Sequence, residues 1–110
     1  MYLPKTDVYN SLKALPYFVA QKQPAVFTEL PAVIFTVGNN AITADLDGAI
    51  LSQDIEIQVD VWANDSVTAS LVLSQVEEIM RSNQYIMSYS NDVPNAGNLH
   101  HIVNRFAKTV

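Results

Sequence analysis

The stretch Ser52–Met80, SQDIEIQVDVWANDSVTASLVLSQVEEIM, carries two periodicities. Up to Val61 it alternates: Ile55, Ile57, Val59 and Val61 point one way, and Asp54, Glu56, Gln58 and Asp60 the other. That is the pattern of a strand with one apolar and one acidic face. After the polar turn Asn64-Asp65-Ser66 the spacing becomes helical. At 100° per residue, Ala69, Val72, Leu73, Val76, Ile79 and Met80 share one side. The expected helix covers Asp65 to Ser82 and packs on the strand's apolar face. The acidic face is left for water, a cation or a partner, so the work of the protein is expected at a surface rather than in a cleft.

Outward from that unit, Thr6 is placed to cap a helix over Asp7 to Leu15, with the stripe Val8, Leu12 and Leu15. Pro16 ends it. Tyr17 to Pro31, broken by Pro24 and Pro31, reads as an extended connection with a short strand at Val26 to Thr28. Ala32 to Val37 is apolar on both faces and suits an inner strand. Gly38-Asn39-Asn40 signals a turn, and Ile42 to Ile50 a loop or the flared end of a hairpin. Two further strands are expected at Tyr85 to Tyr89 and Leu99 to Ala107, around a turn-rich loop Ser90 to Asn98. The order helix, strand, strand, helix, strand, strand predicts an α+β fold. Its two layers are a mostly antiparallel four-stranded sheet and two helices packed on one face.

Composition narrows the function classes. One domain, 1–110, fits the length of 110 residues. Charged residues make up only 15%, against about 25% in ordinary soluble domains; sparse charge suits a subunit that hides surface in an assembly. Eleven acidic against six basic residues leave a net charge of −5, the wrong sign for gripping nucleic acid or an anionic membrane. Without cysteine there is no disulfide, thiolate nucleophile or cysteine-zinc site. No apolar run approaches the ~20 residues of a membrane span, and MYLPKTDVYN carries no secretory pattern. A soluble, intracellular protein is expected.

No catalytic constellation emerges, and neither an enzyme nor a cofactor is expected. Asp54, Glu56 and Asp60 share a solvated strand face, whereas paired-carboxylate chemistry needs a cleft and a desolvated acid. His100 and His101 are neighbours on a strand and point to opposite faces, so they do not share a metal; one should be half-buried and the other exposed. Asp45-Leu46-Asp47-Gly48 resembles the start of a calcium loop, but the residue in twelfth place, Glu56, falls inside a strand, and a turn is expected. Val67 and Leu71 lie opposite the apolar stripe of the long helix. They touch a neighbouring loop such as Tyr17 to Phe27, or contact another subunit. Trp62 is either tucked under a loop at its strand end or an exposed interface anchor.

These pieces, taken in order, resemble a family. DVYNSLKAL, LPAVIFTVG, an acidic loop with LDG, IEIQVDVWA and the helix NDSVTASLVLSQVEEIM, then two closing strands, look like the small tail-completion proteins of long-tailed bacteriophages, the tail-terminator type. The resemblance implies a virion subunit at the tail-neck junction, assembled in the host cytoplasm. It forms a ring of identical copies, typically a hexamer, that caps the tail tube, ends its polymerisation and meets the head-tail connector protein. Its partners are itself, the tube protein and the connector; DNA only passes through the lumen, and no membrane is involved. On that reading Asp54, Glu56, Gln58 and Asp60 face the lumen or the neighbouring subunit, and Trp62, Val67 and Leu71 serve the assembly. Asp45, Asp47, Asn95 and Asn98 lie in docking loops that order on contact. The alternatives are a head-completion or stopper protein of the phage neck, and a small ligand- or peptide-binding α+β module.

Overall fold

The alternating strand is the centre of the sheet. In the computed structural model, which describes residues 3–21, 30–93 and 99–110 (50 and 51 by backbone alone), it is β3 (Ile50–Ala63). It pairs antiparallel with β2 (Ala32–Ala44) on one side and β5 (His100–Thr109) on the other. Ile55, Ile57, Val59 and Val61 are all at most 2% exposed. β4 (Ile86–Val93) lies antiparallel outside β5. β1 (Phe18–Ala20) lies parallel outside β2, opposite Ala32 to Ile34. The sheet order is β1-β2-β3-β5-β4.

The α+β class is as expected, but the sheet is mixed and five-stranded rather than four-stranded and antiparallel. The extra strand, β1, spans only three residues; so short a run carries no period to read. The expected strand at Val26 to Thr28 lies outside the described residues.

The long helix, α2 (Ser66–Ser82), starts at an Asp65 cap. Asp65 accepts hydrogen bonds from the Thr68 N–H at 2.7 Å and the Thr68 hydroxyl at 2.9 Å, satisfying one of the donors that a helix start leaves open. Ala69, Val72, Val76 and Met80 are buried, with Leu73 and Ile79 partly so. At the other end the Asn83 side chain donates to the Ile79 carbonyl at 2.9 Å. Gln84 turns left-handed at φ 72° and the chain enters β4.

The first helix, α1 (Pro4–Leu12), begins and ends about one turn earlier than expected. Thr6 does not cap it. Pro4 occupies its first turn, where a missing N–H costs no helical hydrogen bond and the fixed φ suits the helix. Leu15, outside the helix, still packs on the core. Val8 and Leu12 join the α2 stripe, Phe35, Tyr85 and Phe106 in one buried cluster, so both helices cover the same sheet face. Each large side chain buried there contributes about 1.5–3 kcal/mol.

The expected turn at Gly38-Asn39-Asn40 does not form. Val37 pairs with Ile57 and Asn39 with Glu56, so Gly38 is the extra residue of a bulge and the strand continues to Ala44. The chain reverses at Asp45–Gly48 instead, with the Gly48 N–H bonded to the Asp45 carbonyl at 3.1 Å and Gly48 at φ 85°. β4 likewise runs on through Ser90 to Val93, a stretch expected to be loop. A 13-residue and a 14-residue strand each span about 45 Å at ~3.3 Å per residue, in keeping with overall extents of 54 × 25 × 22 Å.

Candidate assembly surface

The alternation of β3 sends Asp54, Glu56, Gln58, Asp60 and Trp62 to the face away from the helices. Their cross-strand neighbours on β5 are Thr109, Ala107, Arg105, Val103 and His101. On β2 they are Ala41, Asn39, Thr36, Ile34 and Ala32. This face changes character along its length.

At one end it is covered. Trp62 is only 7% exposed and forms a second apolar cluster with Ala32 and Ile34, against which Phe18, Ala20, Leu30 and Leu99 pack. Trp62 is therefore buried, not an exposed anchor. The His101 ring stacks on its indole, centroids 3.7 Å apart. His101 is half-buried and His100 exposed, on opposite faces, as the strand period requires.

Asp60 belongs to this covered end. Its side chain is 18% exposed and lies 3.3 Å from His101 Nε2, off the line needed for a hydrogen bond. Gln58 Nε2 donates to its other oxygen at 3.1 Å. Beyond Asp60 the face opens. Glu56 is partly exposed and Asp54 exposed, with Asp54 accepting from the Thr109 hydroxyl at 2.7 Å. The acidic row is thus divided: Asp54 and Glu56 address solvent, and Asp60 serves the tryptophan cluster.

Past Asp54, Gln53 still exchanges backbone hydrogen bonds with Val110, at 2.7 and 2.9 Å, and beyond it β2–β3 continues as a two-stranded arm among the described residues. From Gly38 to Ala49 every residue is exposed. Ile42 is 45% exposed, and Leu46 at the tip is fully so. Asp45 and Asp47 sit in the tip turn, where Asp45 Oδ1 accepts from the N–H groups of Asp47 and Ala49, both at 2.9 Å. That carboxylate braces a turn rather than a calcium loop. An isolated two-stranded ribbon is marginal in water, which makes the arm a candidate for cover by another chain.

The opposite sheet edge is also bare among the described residues. β4 has no strand outside it, and Ile86 at 74% and Tyr89 at 44% are exposed. The Arg105 guanidinium lies 5.1 Å from the centre of the Tyr89 ring. On α2, Val67 and Leu71 are 78% and 57% exposed, far from the acidic row because they leave the helix on the side away from the sheet. Asn95 and Asn98 lie outside the described residues.

For small-molecule chemistry the surface offers little. Among the described residues no three His, Cys, Asp or Glu side chains are placed to hold a metal. A recess of about 300 Å³ lies between the start of α1 and β2 and is lined by Leu3, Pro4, Lys5, Thr6, Val37 and Asn40. A smaller one, about 190 Å³, sits at the root of the arm beside Asp54 and Glu56. Neither gathers a nucleophile and a base. No helix among the described residues is long and apolar enough to cross a membrane.

The hairpin end is one of the two sequence readings of Ile42 to Ile50, but the length of the arm and the β4 edge escape both. The available signal was the charge-free run Ala32–Ala44, too long for an ordinary strand ending at Gly38. No protein-family model matches the chain, and no curated protein matches it.

Proposed function

We propose that this chain is a structural subunit of a homo-oligomeric ring, of the tail-terminator type of long-tailed bacteriophages. Six copies cap the tail tube, end its polymerisation and present the surface that joins tail to head. One observation carries the reading: along the β2–β3 arm every residue of the β2 strand and tip turn from Gly38 to Ala49 is exposed and the β2 strand is uncharged, and such a ribbon gains order from neighbours. The open part of the sheet face supports it. Asp54 and Glu56 give that face negative charge, and a lumen so lined repels DNA and lets it pass rather than stick. Val67 and Leu71 supply a second apolar contact on the outer side of α2.

The test is electron microscopy of particles made after this gene is deleted from its phage. Overlong or irregular tails, unattached to filled heads, are expected. Tails of normal length beside leaking heads would move the protein to the head side of the neck, as a stopper. Normal virions would overturn the ring reading.

A further inference from the structure

We infer that the β2–β3 arm of one copy adds as a strand to the β4 edge of the next copy, so that the sheet continues from subunit to subunit. This deepens the ring reading and rests on it for closure, while the strand contact has its own test.

The two surfaces match in chemistry. Edge strands are ordinarily guarded by Lys, Pro or inward charges. The arm strand from Thr36 to Ala44 has none of these, and β4 has a single charge, Asp92, near its end. Among the described residues the outer edge of β2 is occupied at Ala32 to Ile34, by β1, and the pairing proposed here begins beyond it.

The two surfaces also match in direction. Within one copy β2 and β5 run one way, β3 and β4 the other. A neighbour brought alongside by rotation about an axis near the strand direction therefore meets β2 with β4 antiparallel, without inversion.

The hydrophobic pattern then selects the register, because a slip of one residue exchanges the faces. With Thr43 opposite Ile86, Ile42 meets Met87 on the helix-bearing face, and both are apolar. The bulge at Ser88 next brings Ala41 opposite Tyr89, and Asn39 opposite Asn91, on the open face. The acidic tip, Asp45 and Asp47, continues to the turn before β4. There the partner copy presents Arg81, 69% exposed and 3.6 Å from Glu77 one turn back on its own helix, and Lys108, which binds the Asn83 carbonyl at 2.8 Å. Opposite charges thus meet where the uncharged strands end.

The same register favours closure. In its own subunit Ile86 is level with Asn39, through Ala107 and Glu56. In the contact it lies opposite Thr43, four residues further along β2. Four residues are about 14 Å of stagger against about 19 Å for the four strands crossed per copy. The ratio is a strand tilt of about 35°, within the range at which sheets close on themselves. A head-to-tail contact that did not close would give filaments.

The test is disulfide trapping in the full chain, which has no cysteine of its own. Ala41→Cys and Tyr89→Cys are combined in one chain. Within a copy these positions are three strand spacings apart sideways, at least about 14 Å, beyond the ~7 Å reach of a disulfide. Mild oxidation is expected to give a covalent ladder that ends at the ring, read on a non-reducing gel, while each single variant stops at the dimer. No species beyond the dimer overturns the contact, whether the unmodified chain forms rings by native mass spectrometry or stays monomeric. A ladder of open polymers without a closed limit keeps the contact and overturns the ring. Hydrogen exchange on the unmodified chain covers the case in which the double variant fails to fold. Amides of 39–43 and 86–91 should gain protection together as concentration rises; oligomers that leave both segments unprotected overturn the proposal.

Discussion

The Trp62 indole lies flat on the His101 imidazole, ring centroids 3.7 Å apart and planes 9° from parallel. The two residues are direct cross-strand partners on β3 and β5, so the stack ties the two strands together on the sheet face away from the helices. Trp62→Ala removes the largest member of the second apolar cluster and should destabilise the fold by about 3–5 kcal/mol. Trp62→Phe should cost less, because an aromatic face remains for His101. Chemical denaturation followed by circular dichroism gives both values. As the chain has one tryptophan, its native emission should be that of a buried indole and shift to the red on unfolding.

Asn104 is fully buried. Its amide donates to the Val59 carbonyl at 3.2 Å, and its oxygen accepts from the Ser90 hydroxyl at 2.7 Å. One side chain thereby links β3, β5 and β4. Asn104→Asp removes the donor and places a carboxylate against a backbone carbonyl. The expected loss at neutral pH is about 3 kcal/mol or more, with part of it recovered in acid as the carboxyl takes up a proton. Denaturant midpoints at two pH values decide it; equal losses at both would show that charge is not the cause.

At the start of α2, hydrogen bonds from the Thr68 N–H and then the Thr68 hydroxyl hold the Asp65 carboxyl below its ordinary value of 3.8. A carboxyl with a depressed folded-state pKa stabilises the fold above the unfolded pKa and loses that contribution as pH falls through the folded one. The cap should therefore act fully at neutral pH and weaken below about pH 4. Asp65→Ala should lower the melting temperature at pH 7. Asp65→Asn, an equally good cap, should keep most of it and flatten the acid limb. An Asn variant with an unchanged acid limb would assign that limb to other groups.

The divided acidic row predicts two different phenotypes. Asp54→Lys with Glu56→Lys changes solvent-facing groups, so subunit stability should stay within about 0.5 kcal/mol while ring assembly or DNA passage fails in an infection assay. Asp60→Lys should instead lower the melting temperature of the isolated subunit, because that side chain is half-buried beside Gln58 and His101. Normal plaques from the Asp54/Glu56 double variant would remove the lumen assignment from this face.

Local order was legible in the residues themselves. The alternation from Asp54 to Val61 placed β3 and its two faces, and the polar turn Asn64-Asp65-Ser66 with the Ala69, Val72, Val76 and Met80 stripe placed α2 within a residue. These signals are local: a strand shows its faces every two residues and a helix every three or four, whatever lies around them. The tertiary structure decided what depends on a partner far along the chain. It paired three-residue β1 with β2, turned Gly38 from a turn into a bulge because β3 remained available beyond it, and carried β2–β3 past the end of β5 as an arm. It also buried Trp62, on a face whose alternation promised water, because Phe18, Leu30 and Leu99 pack over that end, and left Asp60 half-buried beside it. Period states which way a side chain points; whether anything waits there is settled only when distant segments meet.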